Sequence, residues 1–576
     1  MNHGAAAQTR AATDRGATRA GPSHLRVAGL HVIRVRGSFY EMGHQHGAML
    51  REEVPRGPLP YYRTYVERLM GEAHLGALSP LMWPALQRIV GSRVARGMPE
   101  FAMETLRGLA DGAGLPFDAI LEGATMPDTL VWLAAKLQKM AGVPPAVRHR
   151  VALGLGCTSA IAWGDATRDG KLLHARNTDY HGVGCWPRTA TVVFSEPQQG
   201  HRYVSVTAAG LPLGGFTAMN EAGLSLVVHQ HMFTDRARLG GMPIGLVGDI
   251  VMREASTLDE AEAILRRHRP IGCWTYLVAD GRSRQVLCWE ENPERQVSLR
   301  TGDDASTFPY ANIYLDPDLG ATETAFYGSY WRHNERRYAR ADALMREGHG
   351  ALDPQSMARI LGDTGDDGCR LSGSIAMLLT VASVVFRPED GVLWVASGET
   401  PTSHGTFIPF DLATEAHAPQ RGTLTGADGD SNAATAFECF RRAYLAHVDD
   451  GDPAEARRLV ARACELDASQ AVYHALSGLL SLRAGEPGSA GEALDRALST
   501  GHRDPERIAS FHLWRARAAD IGGDRATALR HYRRSLGYDA DPPVHRAAGR
   551  GLRRPFSRGR ARRISVDFTF ADVPAP

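Results

Sequence analysis

The chain has 576 residues, of which 43% are hydrophobic and 22% charged, and its formal net charge is +1. This length and composition are typical of a globular protein with two or more domains, each with a buried core. A chain so close to neutrality is not expected to bind nucleic acid or a membrane surface through its charge. Its longest apolar run, residues 375–386, is also too short to cross a bilayer.

Residues 1–24 are rich in Ala, Arg, Gly and Thr and lack the apolar segment of a signal peptide, so we predict a disordered tail. The seven cysteines are odd in number and form no C-x-x-C pair, which favours reduced thiols over disulfides or a zinc motif. Together these features predict a cytoplasmic protein. Four cysteines are predicted to be core or rim thiols: Cys185, Cys273, Cys288 and Cys369.

The part of the chain before position 157 is predicted to be mostly helical. A strand-like alternation over 27–36 leads through a turn into a helix over 37–47. Apolar residues at three- and four-residue spacing then predict helices over 61–140.

Strands dominate the sequence after Cys157. Hairpin turns are predicted at Asp169-Gly170, Asp280-Gly281 and Asp390-Gly391. Helices are predicted over 244–255, 258–268, 334–346 and 354–361. This order of strands and helices predicts helices stacked on a largely antiparallel pair of sheets.

The texture changes to helices alone after about Leu424. Similar turns at Gly451 and Gly485 lie 34 residues apart, which is the tetratricopeptide period. We therefore predict an all-α helical-repeat domain over 433–545, with a protein partner for it as one hypothesis. Residues 546–576 are predicted to be a solvated basic tail, because eight arginines fall between 546 and 563.

The most informative residue is Cys157, which follows Gly156 and precedes an Arg176-Asn177-Thr178-Asp179 stretch. A thiol is a strong nucleophile only as the thiolate, so it needs a base and a positive neighbour. Arg176 and Asp179 could act as the positive neighbour and an orienting carboxylate, but no histidine is placed as the base. Cleavage of the Gly156–Cys157 bond by the thiol itself would expose an α-amino group, whose pKa of about 7.7–8.0 suits a base.

Alternative interpretations of these residues remain open at this point. From the cysteine alone, a buried thiol at the start of a strand is the simpler interpretation. A pairing of Cys157 with His174 is conceivable as a second type of thiol enzyme. His229 and His231 could form a metal pair, but they lack the third protein ligand of a catalytic zinc site, so no metal is expected.

The order of the motifs resembles the N-terminal-nucleophile (Ntn) hydrolases, and within them the C45 peptidase group typified by acyl-CoA:6-aminopenicillanic acid acyltransferase. The resemblance covers residues 27–412. It depends on three motifs: G-x-x-x-E-x-G-x-x-x-G at 37–47, R-N-x-D at 176–179 and N-E-x-G-L at 220–224. It implies a four-layer αββα sandwich, an α+β fold, with a pro-segment over 25–156 and a catalytic domain over 157–422.

The resemblance also implies roles for individual residues. Cys157 would attack the acyl carbonyl, Arg176 would stabilise the thiolate, and Asp179 would hold the α-amino group. The remaining implied site residues are Gln230 and Asn312 in the oxyanion hole, Asn220 as a substrate-binding residue, and a late arginine at Arg337, with Arg336 as the close alternative. Gln230 departs from the family's asparagine, and Ile313 stands where many members have histidine.

The function implied is cleavage of an amide or thioester bond through a Cys157 thioester, after self-cleavage, with no cofactor. Transfer of the acyl group to an amine is an alternative, because the same acyl-enzyme serves both reactions. The substrate would be a small-molecule acyl amide or acyl thioester. The departures at Gln230 and Ile313 motivate a third hypothesis, an inactive interaction protein that carries helical repeats.

Overall fold

The protein is described here by a computed structural model. The described residues are 21–72, 79–139, 156–231, 234–302, 304–323, 328–365, 373–427, 431–564, 566 and 568. Residues 1–20 of the predicted tail and Cys369 lie outside these ranges. The first strand begins at Ser23, so the end of the predicted tail already belongs to a sheet. Among the described residues, no helix has the length and apolar character needed to span a membrane.

The described strands form two sheets. The first sheet has the order β1-β2-β5-β6-β7-β8-β9-β10-β11, and the second β12-β3-β4-β13-β14-β15-β16, with β17 paired to β15. The strands are β1 Ser23–Val27, β2 Leu30–Gly37, β3 Gly156–Gly164, β4 Gly170–Asp179, β5 Ala190–Pro197, β6 Tyr203–Ala208, β7 Thr217–Asn220, β8 Leu224–Gln230, β9 Trp274–Asp280, β10 Gln285–Glu291, β11 Gln296–Arg300, β12 Thr307–Tyr310, β13 Thr380–Arg387, β14 Val392–Ser397, β15 Thr406–Asp411, β16 Ala416–His417 and β17 Leu424–Thr425.

Helices precede, cover and follow the two sheets. Those before β3 are Phe39–Met49, Pro58–Glu72, Ser79–Leu86, Ser92–Ala95, Glu100–Ala113 and Phe117–Lys139. Those between β4 and β13 are Trp186–Thr189, Leu246–Glu254, Leu258–Arg267, Pro317–Gly320, Gly328–Glu347 and Pro354–Leu361. Those after the sheets are Asn432–Tyr444, Pro453–Leu466, Ala471–Ala484, Pro487–Thr500, Pro505–Gly522, Arg525–Leu536, Pro542–Arg553 and Arg558–Ala561.

Three apolar layers hold the sheets and helices together. The facing sides of the two sheets share one core, to which Ile161 of β3 and Leu277 of β9 contribute. Helices Leu246–Glu254 and Leu258–Arg267 cover the outer face of the first sheet. Helices Gly328–Glu347 and Pro354–Leu361 cover the outer face of the second. The predicted four-layer αββα sandwich is confirmed.

The three predicted hairpins are present: β3 pairs with β4, β9 with β10, and β13 with β14, all antiparallel. The sequence analysis missed β11, β12 and β15, as well as the two-residue strands β16 and β17. Two of these strands contain proline, Pro309 in β12 and Pro409 in β15, and proline argues against a strand because it donates no ladder hydrogen bond. Strand β12 tolerates Pro309 because it lies at the edge of its sheet.

The segment before Cys157 is part of the sandwich. One strand was predicted over 27–36, but two occur, because Ala28 and Gly29 both take positive φ in a tight turn. Strand β2 runs parallel to β5 inside the first sheet. Loss of this segment would therefore leave β5 as an exposed sheet edge.

The glycines of the 37–47 motif explain how this segment packs. Helix Phe39–Met49 lies against helix Glu100–Ala113, with a glycine at each close approach. A Cβ on Gly43 would lie 2.1 Å from the carbonyl oxygen of Thr105, and a Cβ on Gly108 would lie 2.1 Å from that of Tyr40. The motif is therefore a helix-packing device in which backbone meets backbone.

After the sheets the chain forms antiparallel helices in series, each packed on the next. Helices Pro453–Leu466 and Pro487–Thr500 begin 34 residues apart, at the period read from the sequence. The all-α region is confirmed, and its membership of the tetratricopeptide class stays a prediction. The predicted basic tail is partly ordered, because helix Pro542–Arg553 packs on the last repeat and Phe568 is buried.

Replacement of Gly43 by Ala is expected to destabilise the fold by about 1–3 kcal/mol, because the methyl group has no room against Thr105. Denaturant unfolding followed by tryptophan fluorescence would measure this. The matched control is Gly488→Ala in the exposed first turn of helix Pro487–Thr500, where nothing lies within 4 Å of the added Cβ. That change should be neutral or stabilising by up to about 1 kcal/mol. Equal effects of the two changes would contradict the packing explanation.

Candidate active site

The pairing of β3 with β4 brings the central residues together. In this register Gly156 lies opposite Asp179, and Ser159 lies opposite Arg176. Cys157 is the second residue of β3 and is 7% exposed. The open end of the hairpin thus holds the thiol, a cation and a carboxylate within one patch of sheet.

Arg176 is buried and reaches the sulfur. Its Nη2 donates to Cys157 Sγ at 3.3 Å and to the carbonyl oxygen of Val228 at 2.6 Å. Its Nη1 donates to the carbonyl oxygen of Phe216 at 2.6 Å and to the Thr217 hydroxyl. Neutral acceptors therefore hold the guanidinium in place, with its positive charge beside the sulfur.

Asp179 is fully buried and only partly satisfied. Thr380 Oγ1 donates to its Oδ1 at 2.6 Å, whereas its Oδ2 accepts no hydrogen bond from the described residues. The nearest cation to Oδ2 is Arg337 Nη1, at 3.8 Å. Burial raises the pKa of Asp179 to about 6, against the lowering effects of Arg337, Thr380 and Arg176. A further positive or donating group at Oδ2 would therefore stabilise the carboxylate.

Asn312 lies across the site in a loop that follows β12. Its Oδ1 accepts the backbone N–H of Cys157 at 2.5 Å, and its Nδ2 donates to the carbonyl oxygen of Gln230 at 2.8 Å. These two partners fix which end of the amide is which. The Nδ2 group has a second hydrogen, which no described residue accepts. Asn312 also lines the cavity described below, so this hydrogen is available to a ligand oxygen.

The backbone of this loop is unusual and well supported. Asn312 has φ +53°, the left-handed region that non-glycine residues seldom adopt but asparagine tolerates best. Asn334 Nδ2 donates to its carbonyl oxygen at 3.1 Å. Glu290 accepts the backbone N–H groups of Leu315 and Asp316 at 2.7 and 2.8 Å. The loop is therefore preorganised rather than free to adjust.

Gln230 contributes through its backbone. It ends β8, is 8% exposed and also lines the cavity. Its carbonyl oxygen is the group that holds Asn312. A carbonyl is common to every residue type, so the change from the family's asparagine leaves this contact intact.

Arg337, and not Arg336, faces the site. Arg337 is fully buried, and its Nη1 donates to the carbonyl oxygen of Cys157 at 2.8 Å and to Thr158 Oγ1 at 2.9 Å. Its Nη2 donates to Asn334 Oδ1 at 2.7 Å and to Asn312 Oδ1 at 3.3 Å. Arg336 points to the opposite side and pairs with Asp504.

Asn220 is not brought to this site. It lies in the turn between β7 and β8, where its Nδ2 donates to the carbonyl oxygens of Met252 and Ala255, and its Oδ1 accepts the N–H groups of Ala222 and Leu224. All of these partners are backbone groups. The geometry therefore assigns Asn220 to the turn and to the end of a helix, and it does not support a substrate contact.

The histidine alternatives find other partners. His174 is hydrogen-bonded to Ser225 at 2.9 Å, and burial lowers its pKa to about 3. His229 bonds to Ser159 at 2.8 Å, while His231 bonds to Glu323 at 2.9 Å and to Thr275. Among the residues that the structure describes, no three His, Cys, Asp or Glu side chains are grouped to hold a metal ion.

A cavity of about 140 Å³ opens at Cys157. The polar residues in its wall include Cys157, Arg176, Asp179, Gln230 and Asn312. The rest of its wall is mainly apolar. The segments before and after Cys157 both contribute to it, through Leu59, Tyr62, Met98, Leu106, Trp186, Leu211, Leu213, Phe216, Ile244 and Leu246. The arrangement fits a ligand with a polar end at the thiol and an apolar remainder.

Two site residues were missed by sequence reasoning. Asn334 joins Arg337 to the Asn312 loop, and its position three residues before Arg337 on a predicted helix was the available signal. Thr380 bonds to Asp179 across the β4–β13 pairing, a contact between residues 201 apart that no local pattern indicates.

A family comparison agrees with the motifs. Residues 166–401 match the model of acyl-coenzyme A:6-aminopenicillanic acid acyl-transferase. The match begins nine residues after Cys157 and includes Arg176, Asp179, Asn312 and Arg337. An uncharacterized protein of Archaeoglobus fulgidus is 26% identical over 357 residues, which cover 56% of this chain and 56% of that protein. The chain thus spans little more than half the length of that relative.

Two solved structures match parts of the chain. The Caenorhabditis elegans N-acylethanolamine-hydrolyzing acid amidase ortholog covers 40% of this chain and 93% of its own, with 17% identity and a TM-score of 0.28. The N-terminal domain of stress-induced protein-1 from C. elegans covers 22% of this chain and 100% of its own, with 18% identity and a TM-score of 0.20.

The contrast between Asn312 and Gln230 can be tested by substitution. Asn312→Ala removes a side-chain donor and is expected to slow acylation of Cys157 by about 10²–10³-fold. Gln230→Ala keeps the carbonyl that holds Asn312, so acylation is expected to stay within about tenfold of the parent. Stopped-flow or mass-spectrometric measurement of Cys157 acylation by an activated acyl ester would compare them. A larger loss for Gln230→Ala than for Asn312→Ala would contradict these roles.

Proposed function

Because residues 166–401 match the model of acyl-coenzyme A:6-aminopenicillanic acid acyl-transferase, we propose that this protein is a self-processed enzyme with Cys157 as its N-terminal nucleophile. It cleaves an amide or thioester bond through a thioester acyl-enzyme. One observation carries the proposal: Arg176, Asn312 and Arg337 bond to the thiol, the backbone N–H and the carbonyl oxygen of Cys157, respectively.

Self-cleavage supplies the missing base. The Cys157 thiol attacks the carbonyl carbon of Gly156, and the acyl group moves from nitrogen to sulfur, which frees the α-amino group. Water then hydrolyses this thioester, which releases the Gly156 carboxylate and restores the thiol. The new amine has a usual pKa of about 7.7–8.0 and can accept the thiol proton near neutral pH.

The surroundings of the bond suit the charged product of this cut. A Cβ on Gly156 would lie 3.2 Å from Asp179 Oδ2 and 3.2 Å from Arg337 Nη2. The cut would therefore form the new N-terminus of Cys157 beside the Asp179 carboxylate. Asp179 Oδ2 accepts no hydrogen bond from the described residues before the cut. An α-ammonium group could donate there and to Asn312 Oδ1, which already accepts from the same nitrogen.

The catalytic cycle uses the same groups. The α-amino group takes the thiol proton, and the thiolate attacks the substrate carbonyl beside Arg176. The second hydrogen of Asn312 Nδ2 stabilises the oxyanion. Collapse of this intermediate expels the leaving amine or thiol, which takes the proton from the α-ammonium group, and leaves the acyl group on Cys157. Water then completes the hydrolysis.

The cavity indicates the kind of acyl group. Its polar groups cluster at the thiol, and its remaining wall is apolar. We infer a substrate with an apolar acyl group and its amide or thioester carbonyl at Cys157. Residues such as Leu59, Tyr62 and Leu106 supply part of that wall from the segment before the cut, so both fragments are needed to bind substrate.

Intact mass measurement tests self-cleavage. We expect two fragments, residues 1–156 and 157–576, that copurify because β2 stays in the first sheet. Cys157→Ala should give one uncut chain. The matched control is Cys185→Ala, which removes another buried thiol and should still be cut. A parent chain that stays uncut on incubation, or a cut Cys157→Ala chain, would defeat the activation model.

Acyl transfer to an amine is the second candidate, and the name of the matching family favours it. The acyl-enzyme is the same in both reactions, so only the acceptor differs. The cut enzyme would be given an apolar acyl amide with and without a competing primary amine. Free acid alone in both cases, as we expect for a hydrolase, would exclude the transferase. An amine-dependent acylated product would overturn the hydrolase assignment.

The inactive-scaffold hypothesis receives less support. The departure at Gln230 leaves its structural contact unchanged, since the contact is made by the backbone. The repeats also bury part of their apolar surface against the catalytic domain, because Val183 and Met377 share a core with Phe440 and Tyr473. That surface is used within the chain.

A further inference from the structure

One helix connects the candidate active site to the helical repeats. Helix Gly328–Glu347 carries Asn334 and Arg337, which hold Asn312 and Cys157. The same stretch carries Arg332 and Arg336, one turn apart, on a side that faces the repeats. The helix therefore presents one set of polar side chains to each domain.

The contact with the repeats is a buried ion pair between Arg336 and Asp504, beside which Arg332 donates a hydrogen bond to Glu506. Burial and the adjoining Asp541 carboxyl raise the pKa of Glu506 to about 8, so the charge of this contact lies mainly on Asp504. Arg336 donates to both carboxylate oxygens of Asp504, at 2.9 and 2.6 Å, in a bidentate arrangement. Arg332 Nη2 donates to Glu506 at 2.5 Å, and its Nε lies 3.3 Å from Asp504. The side chains of Asp504 and Glu506 are 0% exposed, whereas those of Arg336 and Arg332 are 30% and 29% exposed.

The side chain of Asp504 makes this contact and does not cap its own helix. It stands at the N-cap position of helix Pro505–Gly522, where an aspartate usually accepts a backbone N–H of the first turn. Its side chain makes no such cap bond. Although burial raises its pKa, the bonds to Arg336 and the nearby Arg507 charge outweigh this and lower it to about 2. A local rule is broken here in favour of a contact between domains.

We propose that the helical repeats are a positioning part of the active site, in which Asp504 and Glu506 hold helix Gly328–Glu347 so that Arg337 and Asn334 keep Cys157 and Asn312 in place. This inference rests on the proposed function, which it deepens. Asp504 and Glu506 touch no reacting atom and act through the helix.

The mechanics follow from where the helix is fixed. Its later part is held by Arg340, which donates to Asp363 at 3.1 and 2.8 Å. Its earlier part is held by the site contacts, by the repeats and by His333, whose Nδ1 accepts the N–H of Gly373 at 2.7 Å. Without the Asp504 charge, Arg336 can turn to solvent, and the earlier part of the helix loses its restraint on the side of the repeats. A displacement of about 1 Å at a positioning residue can cost about 10²-fold in rate.

The test compares two interdomain ion pairs. Asp504→Asn removes the charge and keeps the size of the side chain. The control is Glu399→Gln, because Glu399 pairs with Arg441 of the repeats at 2.9 Å but lies on a loop away from the helix. Arg336→Gln breaks the Asp504 pair from its partly exposed partner and serves if Asp504→Asn fails to fold. All variants are made in the full chain, and turnover of an apolar acyl amide is measured with hydrogen exchange of residues 328–347.

We expect Asp504→Asn and Arg336→Gln to lower kcat by about tenfold or more, with KM within about twofold, and to speed exchange in residues 328–347. Glu399→Gln should change neither. Equal kcat values and equal exchange rates in the parent, Asp504→Asn and Arg336→Gln would overturn the inference. If the parent itself neither cuts nor turns over, the proposed function fails, and the exchange data alone decide whether the repeats hold the helix.

Discussion

A buried guanidinium group, that of Arg337, organises the centre of the molecule. A cation with no exposure to water must have acceptors around it, because desolvation would otherwise cost several kcal/mol. The acceptors come from three separate elements: the start of β3, the loop after β12, and the helix that carries Arg337 itself. Cys157, Asn312 and Asn334 are therefore held in one geometry, and each of them is fixed by a group that must be satisfied.

The need to pair polar groups also explains why the chain before Cys157 is built into the sandwich. Strand β2 lies between β1 and β5, so its removal would expose a long sheet edge. Helix Phe117–Lys139 also supports a wall of the cavity, because buried Asp128 accepts the N–H of Ile244 at 3.1 Å. His46 of the first helix accepts the N–H of Gly210 at 3.1 Å beside the same cavity. One cut peptide bond would change the chemistry at Cys157 while these contacts keep the walls in place.

Local sequence patterns predicted much of this arrangement. The Asp-Gly turns indicated the hairpins, and the β3–β4 hairpin alone brings Arg176 and Asp179 to Cys157. Strands β12 and β15 were missed because each contains a proline, which argues against a strand. The interpretation of Asn220 as a substrate-binding residue came from its motif, and the structure uses that asparagine to close a turn.

Contacts that depend on the packing of distant elements had no local signal. The bond from Thr380 to Asp179 crosses two strands that meet only in the finished sheet. Asp504 stands at a helix N-cap position, and nothing nearby in sequence reveals that Arg336 lies opposite. Long-range polar contacts of this kind require the assembled fold, because any carboxylate and any arginine are chemically compatible.

The charges at the centre of the molecule are unequal in number. Two buried guanidinium groups, Arg176 and Arg337, face a single carboxylate, Asp179, whose pKa burial raises to about 6. A negative charge on the Cys157 sulfur would balance the excess positive charge, because the sulfur lies beside Arg176. The cut would then add an amine whose protonated form lies next to Asp179. Proton transfer from the sulfur to this amine would place a thiolate beside the Arg176 cation and an ammonium group beside the Asp179 carboxylate. Each new charge would face an existing charge of opposite sign, so the ion pair forms without rearrangement of the site.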